Sequence, residues 1–436
     1  MNKKLLLIPV AIGIVILILL SILKKDPVHG NLAEMEVPSE AAAATESFDA
    51  LTVILDNSGS MQGYVNFGAG AGFPDAKQTM ITNVADFMTN VDTRCKLTST
   101  ALCGKNTYTS DKLIAGMRNY SVFSGPVTEL DGLVKSAIEL AADTGVAVIV
   151  SDMVLSYGKA AIVKSRNNSY NLQELPALSS LVGNQFKHVK DKVGVLILKY
   201  NSDFNGHFYY NYTENIEPCD FKKTLMKDRP YYFFVIGKDE YIKKLCNEKC
   251  FPTPDAVFST IEIDDKDMKM QPFAVKQTST PEVWTIGDLN NPEADKETIC
   301  LWTKDNFGDT RSTFRFSFDK IELPLYAAGT LEAEYDTDVV SAVNFDAAAL
   351  DYFSVTLQPF DRLPKEDSDV KIKLELVKNI DATSCSVEKD TDVDATALEG
   401  KTWGFGSIIA KIYEAYGIEN GDDETIAELK FAISKK

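Results

Sequence analysis

The chain of 436 residues has little histidine and no concentrated positive charge. Its three histidines are His29, His188 and His207, and none stands at the spacing of a zinc-ligand pair or a catalytic triad. The net charge is −18, and no cluster of Lys and Arg offsets it. This inventory argues against zinc chemistry, against Ser-His-Asp catalysis, and against nucleic acid or an anionic membrane surface as the main partner.

Cysteine is also sparse, with seven residues in the whole chain. Thiols in this number fit an exported, oxidising location better than the cytosol, but sequence alone does not fix how they pair. Proximity in the sequence suggests Cys95 with Cys103, Cys219 with Cys246 or Cys250, and Cys300 with Cys385. The spacing of Cys246 and Cys250, without a second pair or a nearby His, is a poor zinc signal.

One long apolar run is present, at residues 5–23, and lysine pairs flank it on both sides. Nineteen apolar residues are about the length that crosses a hydrocarbon core of roughly 30 Å. The run predicts an uncleaved transmembrane signal anchor within residues 1–25, with a cleaved signal peptide as the alternative. Residues 26–47 predict a flexible linker. The bulk of the chain is then expected outside the cytoplasm, in a bacterial cell envelope or periplasm.

Two domains are predicted beyond the linker. Residues 48–252 alternate buried-strand runs with helical patterns, which indicates an α/β fold with a doubly wound, mostly parallel sheet. Residues 253–436 show period-2 alternation between turn residues, which indicates a mainly antiparallel β-sandwich-like domain. The pattern there also predicts one helix, over residues 407–416.

Finer assignments complete this prediction. Strands are expected at residues 51–55, 120–123, 146–150, 193–198 and 231–236, and helices at 76–91, 129–142, 175–189 and 239–245. Asn205-Gly206 predicts a hairpin turn.

The chemistry concentrates where two of these strands end. The apolar run 51–55 stops at Asp56, and Ser58 and Ser60 follow at alternate positions. The run 146–150 leads directly into Ser151 and Asp152. Ligands of open α/β sheets bind at the carboxyl ends of the strands. Hard oxygen donors there suit Mg²⁺, Mn²⁺ or Ca²⁺.

Thr128, at the start of the helix expected at 129–142, is a further candidate donor. Simple helix capping explains Thr128 equally well, with Ser124 as a rival. A plain polar turn is the alternative for residues 56–60. The glycine-rich stretch 68–72 lies too far beyond its strand for a phosphate loop and indicates a rim loop instead.

Residues 48–247 resemble a von Willebrand factor A (vWA) domain. Asp56, Ser58, Ser60, Thr128 and Asp152 match the metal-ion-dependent adhesion site of that family. Two positions depart from its pattern: Met153 stands where the family usually has Gly, and Pro126-Val127 precede Thr128 in place of small residues. The resemblance implies a Rossmann-like fold and a bound Mg²⁺, Mn²⁺ or Ca²⁺ with an open coordination position.

The resulting hypothesis is a membrane-anchored adhesion or scaffold protein, not an enzyme, that binds a partner protein's Asp or Glu through the metal. A Mg²⁺-dependent phosphoryl-transfer enzyme is an alternative. It lacks the acid/base Asp expected two residues after the nucleophile, since Ser58 stands there. A cytoplasm-facing vWA partner of an ATPase machine is a third hypothesis, which differs in membrane orientation.

Overall fold

A computed structural model gives the fold. It describes residues 50–66, 77–125, 130–155, 175–206, 224–263, 274–277, 284–286, 298–301, 313–321, 323–345, 350–359, 362–364, 368–378, 382–388, 398–419 and 421–435. The predicted anchor at 5–23, the linker and Thr128 lie outside these residues. Within the described ranges, no helix has both the length and the apolar character needed to cross a bilayer.

The central element is a mixed sheet whose described strands follow the spatial order β3-β2-β1-β4-β6-β5-β7. These strands are β1 (Ala50–Leu55), β2 (Thr98–Cys103), β3 (Asn106–Tyr108), β4 (Gly145–Ser151), β5 (Gly194–Gly206), β6 (Thr224–Gly237) and β7 (Ala256–Ser259). Strands β1, β2, β4 and β5 run in one direction, and β3, β6 and β7 run in the other. The α/β class and a mostly parallel central sheet are therefore confirmed.

The sheet lies in the interior of the fold because the side chains of its middle strands are apolar on both faces. Every residue of β4 is buried, and so are residues 51–55 of β1. A strand of this kind needs cover on both sides, and amphipathic helices provide it. The described helices are α1 (Thr79–Asn90), α2 (Ser110–Arg118), α3 (Leu130–Thr144), α4 (Leu175–Phe186), α5 (Asp239–Asn247) and α6 (Phe405–Tyr416).

Most of the predicted helices and strands are present, but strands β2, β3 and β7 and helix α2 were not predicted, and one predicted strand is absent. Helix α2 was not predicted, because its nine residues carry few apolar side chains besides the buried Leu113 and Met117. The strand expected at 120–123 is wrong: Tyr120 has a φ of 64° and the segment is a turn. Its apolar residues Val122 and Phe123 are buried as turn residues of the core instead.

The hairpin prediction is wrong about the turn, and its second strand, expected at 207–212, lies outside the described residues. Asn205 and Gly206 are not turn residues, since they pair with Leu225 and Thr224 as the last residues of β5. Strands β5 and β6 thus form a long antiparallel pair, and β6 inserts beside β4. An Asn-Gly pair favours a turn, but continued strand pairing outweighs that local preference here.

The central sheet continues past residue 252, because its edge strand β7 pairs with β5. The C-terminal part of the chain also packs on it. Helix α6 lies against α4, where a Cβ on Gly183 would stand 2.6 Å from the Lys411 carbonyl oxygen. The Tyr416 hydroxyl donates to the Val193 carbonyl at 2.7 Å. These contacts join α6, the helix predicted at 407–416, to the α/β layer.

The remaining described strands form smaller sheets. One has the order β12 (Thr330–Tyr335), β15 (Ser368–Val377), β18 (Asp423–Lys435), β10 (Thr298–Leu301) and β9 (Trp284–Ile286). Another has the order β13 (Val340–Phe345), β14 (Leu350–Leu357), β11 (Thr313–Ile321) and β8 (Ala274–Gln277). Strands β16 (Ser386–Val387) and β17 (Thr402–Trp403) pair separately. The pairings are antiparallel except β10 with β18 and β16 with β17. A sandwich arrangement of these sheets stays a prediction.

Candidate metal centre

The candidate site lies where the order of the strands reverses. From β1 the chain proceeds to β2 and β3 on one side, and then returns to place β4 on the other side of β1. Both pairings of β1 are parallel, so β1 and β4 end at the same edge. Such a switch point opens a crevice outside the carboxyl ends of its strands. Asp56 follows β1 and Asp152 follows β4 at this position.

The loop at residues 56–60 that follows β1 (the first loop) gathers one carboxylate and two hydroxyls. The Asp56 amide donates to the Val150 carbonyl at 2.9 Å, which extends the pairing with β4 by one residue. The Asp56 Oδ1 then accepts the Ser58 amide at 2.9 Å, and the Ser58 and Ser60 hydroxyls share a hydrogen bond of 3.0 Å. All three side chains are buried. The alternating pattern of Asp56, Ser58 and Ser60 therefore brings their oxygens together.

A 3₁₀ helix at Gly59–Tyr64 carries the chain away from this loop, and Asn57 fixes the loop from the other side. The Asn57 carbonyl accepts the Gly125 amide at 2.8 Å. A Cβ on Gly125 would stand 2.4 Å from the Asn57 Oδ1, and one on Gly104 would stand 2.8 Å from the Asn57 Nδ2. Two glycines thus let neighbouring loops approach Asn57 closely. These contacts hold the first loop in place.

The end of β4 connects directly to the first loop. The Ser151 hydroxyl donates to the Asp56 Oδ2 at 2.8 Å and accepts the Met153 amide at 3.0 Å. Met153 has a φ of 54°, in the left-handed region that favours glycine. The chain turns sharply there because Asp152 Oδ1 accepts the Val154 amide at 3.2 Å. Ser151 was not predicted as a site residue, although its position before Asp152 was visible.

Asp152 has a cationic partner that sequence reasoning missed. The Arg229 Nη2 donates to the Asp152 Oδ2 at 2.9 Å, and both side chains are almost completely buried. The Arg229 Nε donates to the Tyr64 hydroxyl at 2.9 Å, and that hydroxyl donates to the Pro230 carbonyl. The guanidinium also lies 4.5 Å from the centre of the Phe204 ring. An arginine two residues before the apolar run 231–236 was the available signal, because arginine is rarely buried without a partner.

Burial controls the protonation of the neighbouring groups. It raises the pKa of the Tyr64 hydroxyl far above its ordinary value, against the opposing effect of the Arg229 charge. Burial also raises the pKa of the Cys103 thiol to about 12, and the Asp56 carboxylate raises it further in the same direction. Tyr64 and Cys103 are therefore neutral near pH 7, where Tyr64 acts only through hydrogen bonds.

The donor set of the first loop fits a small hard cation. Neighbouring oxygens around an octahedral Mg²⁺, with ligands at 2.0–2.1 Å, stand about 3 Å apart. The Ser58 and Ser60 hydroxyl oxygens are separated by 3.0 Å. Among the described residues, no three His, Cys, Asp or Glu converge as a metal-ligand group. A cation at this edge would therefore depend on hydroxyl oxygens together with carboxylate.

The five predicted metal ligands have different positions in the structure. Asp56, Ser58 and Ser60 come together in one hydrogen-bonded cluster. Asp152 lies at the adjoining strand end, but its two oxygens accept the Val154 amide and the Arg229 guanidinium. Thr128 is outside the described residues. The isolated parallel bridge between Ser58 and Gly125 shows that the segment leading toward Thr128 reaches the first loop.

Comparison of the chain with models of known families, with curated proteins and with solved structures finds no match.

Proposed function

We propose that the chain is a vWA-type protein that binds a partner through a divalent cation held at the first loop. The observation that carries the proposal is the cluster of Asp56, Ser58 and Ser60 at the switch point of the sheet. The two hydroxyl oxygens already have the separation of neighbouring octahedral ligands. The left-handed conformation of Met153 adds support, because the vWA pattern usually has glycine at this position.

Asp56, Ser58 and Ser60 are proposed as direct ligands of Mg²⁺, Mn²⁺ or Ca²⁺. Thr128 and Asp152 complete the proposed set, and Asp152 acts partly through its charge. The Arg229 Nη2 lies 2.9 Å from the Asp152 Oδ2 and offsets that charge. A divalent cation at this site would therefore meet only limited negative charge. A Mg²⁺ ion with few charged ligands keeps several waters. When bound, the cation would supply an open coordination position for a partner's Asp or Glu.

The rest of the proposal concerns the whole chain. The apolar run 5–23 would anchor it in a membrane, with the vWA-like part and a C-terminal β-sandwich outside the cytoplasm. Binding is proposed to be with a protein and not with nucleic acid, in keeping with the net charge of −18. A carboxylate desolvated against a cation gives a strong and specific contact, which suits adhesion or scaffolding.

The experiment uses Mn²⁺ as the probe and measures water proton relaxation. We expect the wild-type protein to enhance relaxation by Mn²⁺, because a slowly tumbling site keeps exchangeable water on the ion. Acetate, as a minimal partner carboxylate, should lower this enhancement as it displaces water. Asp56→Ala should abolish the enhancement, while Asp86→Ala, at an exposed position of α1, should leave it unchanged.

Two outcomes contradict different parts of the proposal. Equal enhancement in wild type and Asp56→Ala means that the first loop does not hold the ion. Enhancement that depends on Asp56 but does not respond to acetate, or to a peptide ending in Asp, leaves the metal site and removes carboxylate recognition.

A further inference from the structure

Two cysteines that are far apart in the sequence face each other at the end of β2 opposite the candidate metal centre. The Sγ atoms of Cys95 and Cys250 are 3.4 Å apart, across a sequence separation of 155 residues. Cys95 is partly exposed, and Cys250 is buried. The pair differs from the one suggested by sequence proximity. Cys103 lies at the other end of β2, where its thiol donates to the Val122 carbonyl at 3.1 Å.

The backbone around the two thiols is held in place by other contacts. Cys95 ends a π-helical turn at Val91–Cys95, and Cys250 follows helix α5. Arg94 Nη1 donates to the Glu248 carbonyl at 3.1 Å and to the Lys249 carbonyl at 2.7 Å. Asn90 Nδ2 donates to the Cys250 carbonyl at 3.2 Å. The two segments are thus docked independently of the thiols, which keeps the sulfurs close.

We propose that Cys95 and Cys250 are the site of a disulfide that forms by exchange with a small disulfide such as oxidised glutathione. Cys95, the more exposed thiol, attacks one glutathione sulfur as its thiolate and releases the first glutathione thiolate. The Cys250 thiolate then attacks Cys95 Sγ in the mixed disulfide and releases the second glutathione thiolate. Two protein thiols become one S–S bond, oxidised glutathione becomes two reduced molecules, and the two thiol protons end on these.

The surroundings favour a structural bond over a reactive thiol or a metal site. Burial raises the pKa of the Cys250 thiol, and the neighbouring Cys95 raises it further. This makes the second step slow in the native protein and makes the closed bond difficult to reopen. In the described part of the chain, no third His, Cys, Asp or Glu joins the two sulfurs as a metal-ligand group.

The first test is mass mapping of the full chain after equilibration with reduced and oxidised glutathione. Alkylation under denaturing, non-reducing conditions should leave Cys95 and Cys250 unmodified and recover their two peptides as one linked species. The variants Cys103→Ser and Cys246→Ser should give the same linked species. Alkylation of both Cys95 and Cys250 as free thiols, or linkage of either to a different cysteine, overturns the proposal.

The second test is thermal unfolding with and without reductant. A cross-link across 155 residues restricts the unfolded chain, so reduction should lower the Tm of the wild type by roughly 10 °C. Cys95→Ser should unfold at the temperature of the reduced wild type and should not respond to reductant. Cys103→Ser should keep the full response. A wild type that does not respond, or a Cys95→Ser variant that responds like the wild type, contradicts the proposal.

Discussion

Two buried carboxylates end neighbouring strands of the same sheet, and their surroundings differ. Asp56 lies among hydroxyl and amide donors from Ser58 and Ser151. Asp152 contacts the guanidinium of Arg229, which Tyr64 positions in turn. A carboxylate paired to a fixed cation inside the protein serves mainly to hold elements together. A carboxylate grouped with hydroxyl oxygens can contribute a ligand to an ion.

The two strand ends therefore divide two tasks. The Asp152–Arg229–Tyr64 group links β4, β6 and the 3₁₀ helix that follows the first loop. That linkage fixes the position of the first loop, on which the proposed ligands stand. If this division is correct, substitutions at the end of β4 should mainly affect folding stability, and substitutions in the first loop should mainly affect metal affinity.

The largest expected effect follows from Asp152→Ala. This change leaves the Arg229 charge buried without its carboxylate, so the free energy of unfolding should fall by about 3–5 kcal/mol. Urea denaturation measures this. The double variant Asp152→Ala/Arg229→Met removes the buried Arg229 charge as well and should recover part of the loss. A single variant within about 1 kcal/mol of wild type would show that the ion pair does not organise the site.

A smaller loss is expected from Gly125→Ala. The new Cβ would stand 2.4 Å from Asn57 Oδ1 and 3.0 Å from its carbonyl oxygen, so the first loop must shift. The free energy of unfolding should fall by about 2 kcal/mol, and Mn²⁺ affinity should fall as well. Gly59→Ala is the matched control, since nothing lies within 4 Å of its added Cβ. Equal behaviour of the two variants would refute the proposed role of the Asn57 contacts.

Tyr64→Phe should have a still smaller effect on stability. It removes the hydroxyl that accepts from Arg229 Nε and donates to the Pro230 carbonyl. The loss of these two hydrogen bonds should cost about 1–2 kcal/mol of unfolding free energy. Chemical denaturation at neutral pH checks this value. A loss as large as that of Asp152→Ala would mean that Tyr64, and not the ion pair, holds the two strand ends together.

Ser58→Ala and Ser60→Ala should change stability least. Each removes one side of the 3.0 Å hydroxyl pair, so the free energy of unfolding should change by no more than about 1 kcal/mol. Mn²⁺ affinity should nevertheless fall about tenfold in each variant, which corresponds to about 1.4 kcal/mol of binding free energy. Calorimetric titration measures both. Unchanged affinity in the two variants would remove the hydroxyls from the ligand set.

The strand ends could be predicted because their signal is local. An apolar run that stops at a polar residue marks a buried strand and its end, and this placed Asp56, Ser58 and Ser60 together. The Arg229 contact could not be predicted in the same way, because it joins positions 77 residues apart through the unexpected insertion of β6 beside β4. Periodicity indicates which residues form strands, but it does not determine their order in a mixed sheet.

The same limit applies to the cysteines and to the edge of the sheet. Sequence proximity suggested Cys95 with Cys103, but strand β2 lies between them and places the two cysteines at its opposite ends. Strand β7 lies beyond the predicted boundary at 252 because its pairing partner is β5, a contact across about 60 residues. In both cases a long-range pairing determines where the residues lie, and the local sequence does not indicate that pairing.

The central claim is that the first loop, and not the end of β4, supplies the principal charged ligand. Titration of Mg²⁺ and Mn²⁺ into folded wild type, Asp56→Asn and Asp86→Asn tests this directly, because Asn preserves the size of the side chain and removes its charge. We predict saturable binding to wild type and Asp86→Asn, and at least a hundredfold weaker binding to a folded Asp56→Asn, or about 2.7 kcal/mol. Equal affinity in all three proteins would contradict the claim.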